Sequence, residues 1–274
     1  MATMRTRAIL AAAAVLIAFT PALRAQEDDG DNPLNPNDPK SKVLVGPRLG
    51  INRNFHTGGF RVITDPLCPI FESGGGWGFQ VGVTAEIQTG KTWSIVPAVT
   101  YESRPGAFTQ SLPDAKVLLS GMDTPVNQTV STSSDVTYQF MNAEVLYKQD
   151  IYQVSNGFRI SVTAGPAFQY IMSGKISQTM HLDEPENARF IPQTGITYTD
   201  NGRTAVFRDN ADIPSLSSTR VSLKAGIQGE IGLFNNSWML YPGVFYDYGL
   251  TDVTSAENWQ LSTILFQVDL RRAF

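Results

Sequence analysis

From residue 43 onward the chain alternates. In "VLVGPRLGINRNF" the odd positions are Val43, Val45, Pro47, Leu49, Ile51, Arg53 and Phe55, and the even ones are Leu44, Gly46, Arg48, Gly50, Asn52 and Asn54. In "WGFQVGVTAEI", Trp77, Phe79, Val81, Val83, Ala85 and Ile87 alternate with Gly78, Gln80, Gly82, Thr84 and Glu86. Successive side chains of a strand point to opposite faces, so a period of two predicts strands lying between two different environments. A third segment sets Trp93, Ile95, Pro97, Val99 and Tyr101 against Ser94, Thr100, Glu102 and Arg104. A fifth sets Phe158, Ile160, Val162, Pro166, Phe168 and Tyr170 against Arg159, Ser161, Thr163, Gly165 and Gln169. A sixth sets Val221, Leu223, Ala225, Ile227 and Ile231 against Arg220, Ser222, Lys224, Gln228 and Glu230. The seventh carries Trp238, Leu240, Pro242, Val244, Tyr246 and Tyr248, and the eighth Ile264, Phe266, Val268, Leu270, Arg272 and Phe274. The fourth, "VTYQFMNAEVLYK", changes phase: Val136, Tyr138 and Phe140 fall on one face, Met141, Ala143, Val145 and Tyr147 on the other. A β-bulge near Phe140 would reconcile the two.

The connections alternate too. They are short after segments two, four and six, and long after one, three and five, at about residues 56–76, 105–134 and 174–218. This pattern predicts an all-β fold: an eight-stranded antiparallel up-and-down transmembrane β-barrel with long extracellular loops. In the third long loop, Asp200-Asn201-Gly202 between two β-prone runs predicts a hairpin that extends beyond the membrane.

Periodicity alone does not say which face is outside. A soluble barrel of the lipocalin kind also alternates, with its apolar face around a ligand. Three features favour the membrane. The strands are long enough to cross a bilayer at a tilt. The polar face mixes charges of both signs with Gly, Ser, Thr and Gln, which suits a narrow crowded lumen. Aromatic residues gather at strand ends, as in the two girdles of a membrane barrel. The expected girdles contain Trp77 and Trp259 at the long-loop end, and Trp93, Trp238 and Phe274 at the short-turn end. The expected lumen network comprises Arg48, Glu86, Glu102, Glu144, Lys224, Glu230 and Asp247, with Arg104 and Arg220 as further cations. Within it, Arg48 and Glu86 form a plausible cross-strand pair. Unpaired charges there would be costly, so the network is expected to plug the barrel. Pro47, Pro97, Pro166 and Pro242 each remove a ladder donor from the apolar face, and local bulges are expected at them.

The N-terminus sets the compartment. "MATMRTR" is basic, "AILAAAAVLIAF" is a short apolar run, and "TPALRAQ" offers small residues for cleavage, the layout of a secretory signal peptide. Residues 1–25 are therefore expected to be removed, with cleavage after Ala22 as the alternative. Loss of Arg5, Arg7 and Arg24 leaves 18 basic residues against 25 acidic ones, so the formal charge moves from −4 to −7. An acidic chain of this kind is a poor partner for nucleic acid. Residues 26–41, "QEDDGDNPLNPNDPKS", read as a disordered acidic linker, and 42–274 as the barrel. The single Cys68 cannot form an internal disulfide.

The fragments "VGPRLGIN", "GFQVGVTAEI", "SIVPAVTYES", "VTAGPAFQY" and "VSLKAGIQGEIGL" resemble strands of the PorT-like outer membrane protein β-barrel family of Gram-negative bacteria, among the small OmpA/OmpX-like barrels. The likeness covers most of residues 42–274. It rests on Gly-rich alternating strands and Gly-Pro pairs, without a catalytic signature. The resemblance implies a structural or protein-interaction role in the outer membrane, with assistance to protein secretion or envelope assembly among relatives. It also implies that the barrel-insertion machinery reads the closing strand and its terminal Phe274. The peptidoglycan-binding domain of the full-length OmpA type is not expected, since the sequence ends with the barrel.

Candidate chemistry is sparse. A hydrolase of the Ser–His–acid kind needs its His beside a nucleophile. The only two His residues, His56 and His181, fall at the top of the first strand and in the longest loop. No Cys/His cluster suggests a metal, and no cofactor is expected. The expected partners are outer-membrane lipid and proteins at the extracellular loops. A narrow channel for small solutes and a lipid-modifying enzyme are the competing readings.

Overall fold

The fold is that of a computed structural model, which describes residues 43–60, 70–90, 92–119, 124–155, 158–183, 188–192, 194–233 and 238–273. The expected signal peptide, the acidic linker, Cys68 and Phe274 lie outside the described residues. The strands are β1 (Val43–Phe60), β2 (Phe71–Gln88), β3 (Trp93–Leu119), β4 (Val126–Ser155), β5 (Phe158–Leu182), β6 (Ala188–Arg189), β7 (Thr197–Thr199), β8 (Thr204–Asp212), β9 (Thr219–Leu233), β10 (Trp238–Gly249) and β11 (Asn258–Ala273). Eight of them bond in a ring, β1-β2-β3-β4-β5-β9-β10-β11, and β11 pairs back onto β1. Every pairing is antiparallel. The eight predicted segments supply this ring. The three short strands, all from the β5–β9 connection, join it to make eleven in all.

The apolar face points outward. Leu49, Ile51, Val83, Phe168, Ile227 and Val268 are exposed on it, whereas Arg48, Asn52, Thr84, Glu144 and Gln267 are buried inside. An apolar exterior around a polar interior suits lipid as the solvent.

Two expectations about irregularities are corrected. The prolines do not make bulges. Beside Pro47 the β1–β11 ladder lapses between Val45↔Arg272 and Arg48↔Asp269, then resumes in the same register. The same in-register lapse occurs beside Pro97, Pro166 and Pro242. Each proline keeps its register on its other side, opposite Val83, Val145, Leu223 and Val268 respectively. The missing donor thus weakens one ladder locally without displacing the strand. At Gly46 the backbones run so close that an added Cβ would lie 1.8 Å from the Leu270 carbonyl oxygen. Glycine is therefore required beside that proline.

The bulge near Phe140 falls on the other strand. Around Phe140, β4 alternates without interruption, while the register passes from Gln139↔Ser173 to Phe140↔Ile171 and leaves Met172 of β5 as the extra residue. The phase change in β4 is a change of environment. Met141 and Val145 face lipid, and Tyr138 and Phe140, further out, turn into a buried apolar cluster.

The long loops are also largely strand. β3 and β4 stay paired from Trp93↔Gln149 to Val117↔Val126, and β5 continues upward to pair with β8. The wall on the β3–β4–β5 side therefore rises above the rest. β7 and β8 form the expected hairpin, closing at Thr199↔Thr204 over a 3-10 turn in which Asp200, Asn201 and Gly202 all have positive φ. β6 crosses back to the top of β3, with Leu118↔Arg189 in register.

Candidate functional site

The interior has two layers. The lower is a charge network inside the membrane-spanning ring. The upper is an apolar cap at the extracellular mouth.

The network follows from strand parity. Once the lipid-facing phase of each strand is fixed, every residue of the opposite phase must point into a lumen only wide enough for side chains. Arg48 of β1 lies opposite Asp269 of β11 and binds it twice, Nε–Oδ1 at 2.7 Å and Nη2–Oδ2 at 2.9 Å. Its Nη1 also donates to Glu144 of β4. Glu144 accepts from Lys224 Nζ of β9 at 2.9 Å, and Lys224 reaches Gln267 at 3.1 Å. Arg271 joins Asp269 at 2.5 Å to Glu86 at 2.6 Å. Glu86 also accepts from Lys148 at 2.8 Å and Ser94 at 2.7 Å, and Lys148 continues to Glu230 at 2.7 Å. Asn142 carries the chain upward, donating to both Glu144 and Glu102. Arg104 then bridges Glu102 and Asp247, each at 2.5 Å. Arg220 donates to Gln169 and to the Leu261 carbonyl, and Gln169 donates to Asp247 at 2.9 Å.

Among the described residues the buried charges balance: Arg48, Arg104, Lys148, Arg220, Lys224 and Arg271 face Glu86, Glu102, Glu144, Glu230, Asp247 and Asp269. Aromatic rings fill the gaps. Arg271 and Lys148 lie against Tyr241, 4.1 and 4.8 Å from its centroid, Lys224 against Phe245, and Arg104 against Phe140. A small apolar layer of Val96, Leu146, Phe245 and Leu265 packs within the same lumen.

All seven residues expected in the lumen network are buried there and joined by these bonds. The direct Arg48–Glu86 pair is not formed: Glu86 lies opposite Leu44 on β1, and Arg48 takes Asp269 and Glu144 instead. Sequence reasoning missed Lys148, Asp269 and Arg271 as members. Their signal was present, since each has the parity of the polar residues on its own strand.

The cap consists of Phe71, Phe108, Tyr138, Phe140, Trp259 and their neighbours. Ile213 and Val253, from the β8–β9 and β10–β11 connections, fold into it. These two connections are tied together by Ser217 N–H to Val253 O at 3.0 Å and by a bridge between Leu216 and Thr254. His56 sits in the cap, stacked on Tyr138. Its Nδ1 accepts from Trp259 Nε1 at 3.2 Å, and its Nε2 lies 3.3 Å from the Pro105 carbonyl oxygen. Indole nitrogen only donates and a carbonyl only accepts, so the imidazole is neutral with its proton on Nε2.

Trp259 is thus a correction to the expected girdle. It is 1% exposed and belongs to the cap, because it shares parity with Thr263, Gln267 and Asp269 rather than with the lipid-facing Phe266 and Val268. Trp77 and Trp93 are exposed on the outer face, Trp93 stacking on Tyr147. Trp238 is half-buried beneath the guanidinium of Arg272. Among the described residues no group of three or more His, Cys, Asp or Glu is arranged to hold a metal.

Solved structures similar to this chain include the following three. Neisserial surface protein A is 12% identical, covers 85% of this chain and 98% of its own, and has a TM-score of 0.39. OprG from Pseudomonas aeruginosa is 10% identical, covers 86% and 97%, and scores 0.39. Ail, the attachment invasion locus protein of Yersinia pestis, is 9% identical, covers 84% and 99%, and scores 0.31. No curated protein gives a significant match. The family model described as outer membrane protein beta-barrel domain matches residues 25–255. The chain therefore belongs to the outer membrane protein β-barrel family and is an outer-membrane protein of a Gram-negative bacterium.

Proposed function

We propose that this barrel is a non-conducting membrane anchor that presents its tall extracellular wall to a protein partner in the cell envelope, in the service of secretion or envelope assembly. The observation that carries this reading is the filled interior. Balanced, mutually bonded charges occupy the lumen, and an apolar cap closes the mouth above them. A barrel so filled has its functional surface outside, and loops and extensions on a rigid scaffold are where binding concentrates. Above the level of Tyr170 and Met172, the outer face of the wall turns polar, with Asp135, Thr137, Gln139, Ser173, Lys175 and Asn210 lining one shallow depression. The narrow-channel reading needs the cap and the network to move together. The enzyme reading needs a His between a nucleophile and an acid. His56 is engaged with Trp259, and His181 Nδ1 lies 2.9 Å from Thr204 Oγ1 while the nearby Asp183 takes the Ser131 hydroxyl. These separate pairings favour the non-enzymatic reading.

The test is capture from native membranes with the full-length protein carrying a photo-crosslinker at Thr137, on the wall. A discrete crosslinked protein, lost on charge reversal of Lys175 and Asp135, is expected. A crosslinking pattern that these reversals leave unchanged, or crosslinks to lipid alone, would overturn the reading.

A further inference from the structure

The lipid-facing row of β1 contains one charge. Val45, Leu49, Ile51 and Phe55 are exposed apolar residues, and Arg53 stands among them, half-buried. Its guanidinium carbon lies 5.7 Å from the Trp77 ring and 5.8 Å from the Phe55 ring. Every lumen cation has a hydrogen-bonded acceptor. Arg53 has none among the described residues, neither carboxylate nor carbonyl. Five N–H donors in a planar fork are thus held on the membrane side of the wall with no acceptor among the described residues.

The height of the residue says what it meets. Arg53 lies opposite Trp77 on β2 and Ile264 on β11. The row above it on β1 ends in Phe55, and beyond that Thr57 pairs with Ser73, so the apolar band stops there. The same pair of strands holds a second lipid-facing arginine, Arg272, opposite Val45 and 5.8 Å from the Trp238 ring. Eight residues of β1 separate the two levels, about 26 Å along the strand and about 20 Å along the membrane normal at the usual tilt. Arg53 therefore lies in the outer interfacial layer, where headgroup phosphates are found. The Phe55 and Trp77 rings hold the guanidinium beside them, and its planar fork of N–H donors is the group that binds phosphate in bidentate fashion. Gly75, the neighbour of Phe55 on β2, has no side chain, so none from that position lies between Nη2 and the membrane; a Cβ there would lie 3.5 Å from Nη2.

We propose that Arg53, braced by Trp77 and Phe55, binds the phosphate of an outer-leaflet lipid headgroup. The apolar surface around the guanidinium selects a lipid over a free anion, since the bound molecule must also cover Ile51 and Phe55. Lys would serve less well, because it offers a point charge without the fork.

The test uses the folded full-length protein in vesicles of phosphatidylcholine doped with phosphorylated lipid A, or with the same lipid dephosphorylated. Lipid retained through detergent extraction is read by native mass spectrometry. The wild type should retain the phosphorylated lipid, and Arg53→Gln should lower retention about tenfold or more, the worth of a charge-assisted hydrogen-bond pair. Arg53→Lys should fall between them. Folding of each variant is checked by the gel shift between unboiled and boiled samples. Ser262→Glu provides a second route. It lies on the same face, diagonal to Arg53 across the β1–β11 ladder, and puts a carboxylate within reach of the guanidinium. It should abolish retention with Arg53 intact. Equal retention by wild type, Arg53→Gln and Ser262→Glu, equal retention of the dephosphorylated lipid, or displacement by inorganic phosphate would each overturn the proposal.

Discussion

At the scale of single residues, parity decides each fate. Trp259 and Trp77 are both tryptophans near the extracellular ends of strands, yet one is sealed in the cap and the other is 59% exposed to lipid. The amino-acid type suggested a girdle for both. The position of Trp259 relative to Phe266, an odd number of residues away, already placed it inside. Lipids carrying a quencher on the acyl chain should therefore quench Trp77 fluorescence and spare Trp259, as read from variants that keep one of the two. Equal quenching would place Trp259 on the lipid face after all. Trp259→Ala should also cost about 3–5 kcal/mol, the usual range for truncating a large buried aromatic. Its removal would in addition leave His56 Nδ1 without its donor. Glu86 provides the matching test in the network. Glu86→Ala leaves Lys148 and Arg271 facing each other with one acceptor fewer. Breaking a buried pair in this way costs ~3–5 kcal/mol, so the urea midpoint of the barrel in vesicles should fall clearly, and Glu86→Gln should fall less. An unchanged midpoint for Glu86→Ala would mean that the carboxylate is solvated.

At the scale of elements, the sequence showed the ring and missed the wall. Alternation is legible only where the two faces of a strand meet contrasting environments. In the membrane, lipid and polar lumen supply that contrast, and the segments around Val81, Val99, Val162, Ile227 and Phe266 declare themselves. Above the membrane the outer face meets water. "VNQTVSTSSDV" then shows only a β-branched and hydroxyl-rich composition, which strands and loops share. Burial reveals the alternation there, with Val130, Thr132, Ser134 and Val136 turned inward. The pairing Thr109↔Ser133 gives a direct check. In a Cys68→Ser background, Thr109→Cys with Ser133→Cys should form a disulfide under mild oxidation, since directly opposed residues lie within bridging distance. The pair Thr109→Cys with Thr132→Cys, one residue out of register, points to opposite faces and should not. Comparable yields for the two pairs would return this region to a flexible loop. The prolines show the complementary limit. Composition announced a lost donor at each, but only the register shows that the ladder lapses and resumes without a bulge.

At the scale of the whole molecule, the account rests on a sealed interior. The barrel fold and the inside-out arrangement followed from periodicity, strand length and aromatic placement, and the family from the resemblance of the strand fragments. The closed charge balance did not, because Lys148, Asp269 and Arg271 complete it from strands whose polar faces drew less attention. The cap was invisible in the sequence, since it is assembled from one or two residues of each of several distant segments, such as Phe71, Phe108, Ile213, Val253 and Trp259. The most direct measurement is the conductance of planar bilayers containing the folded wild-type barrel, with insertion verified by quencher lipids and recorded at both polarities. The sealed-lumen account predicts that conductance stays at the level of the bare bilayer. Stepwise openings that accompany each insertion, with an ion preference of either sign, would contradict it and make the protein a channel.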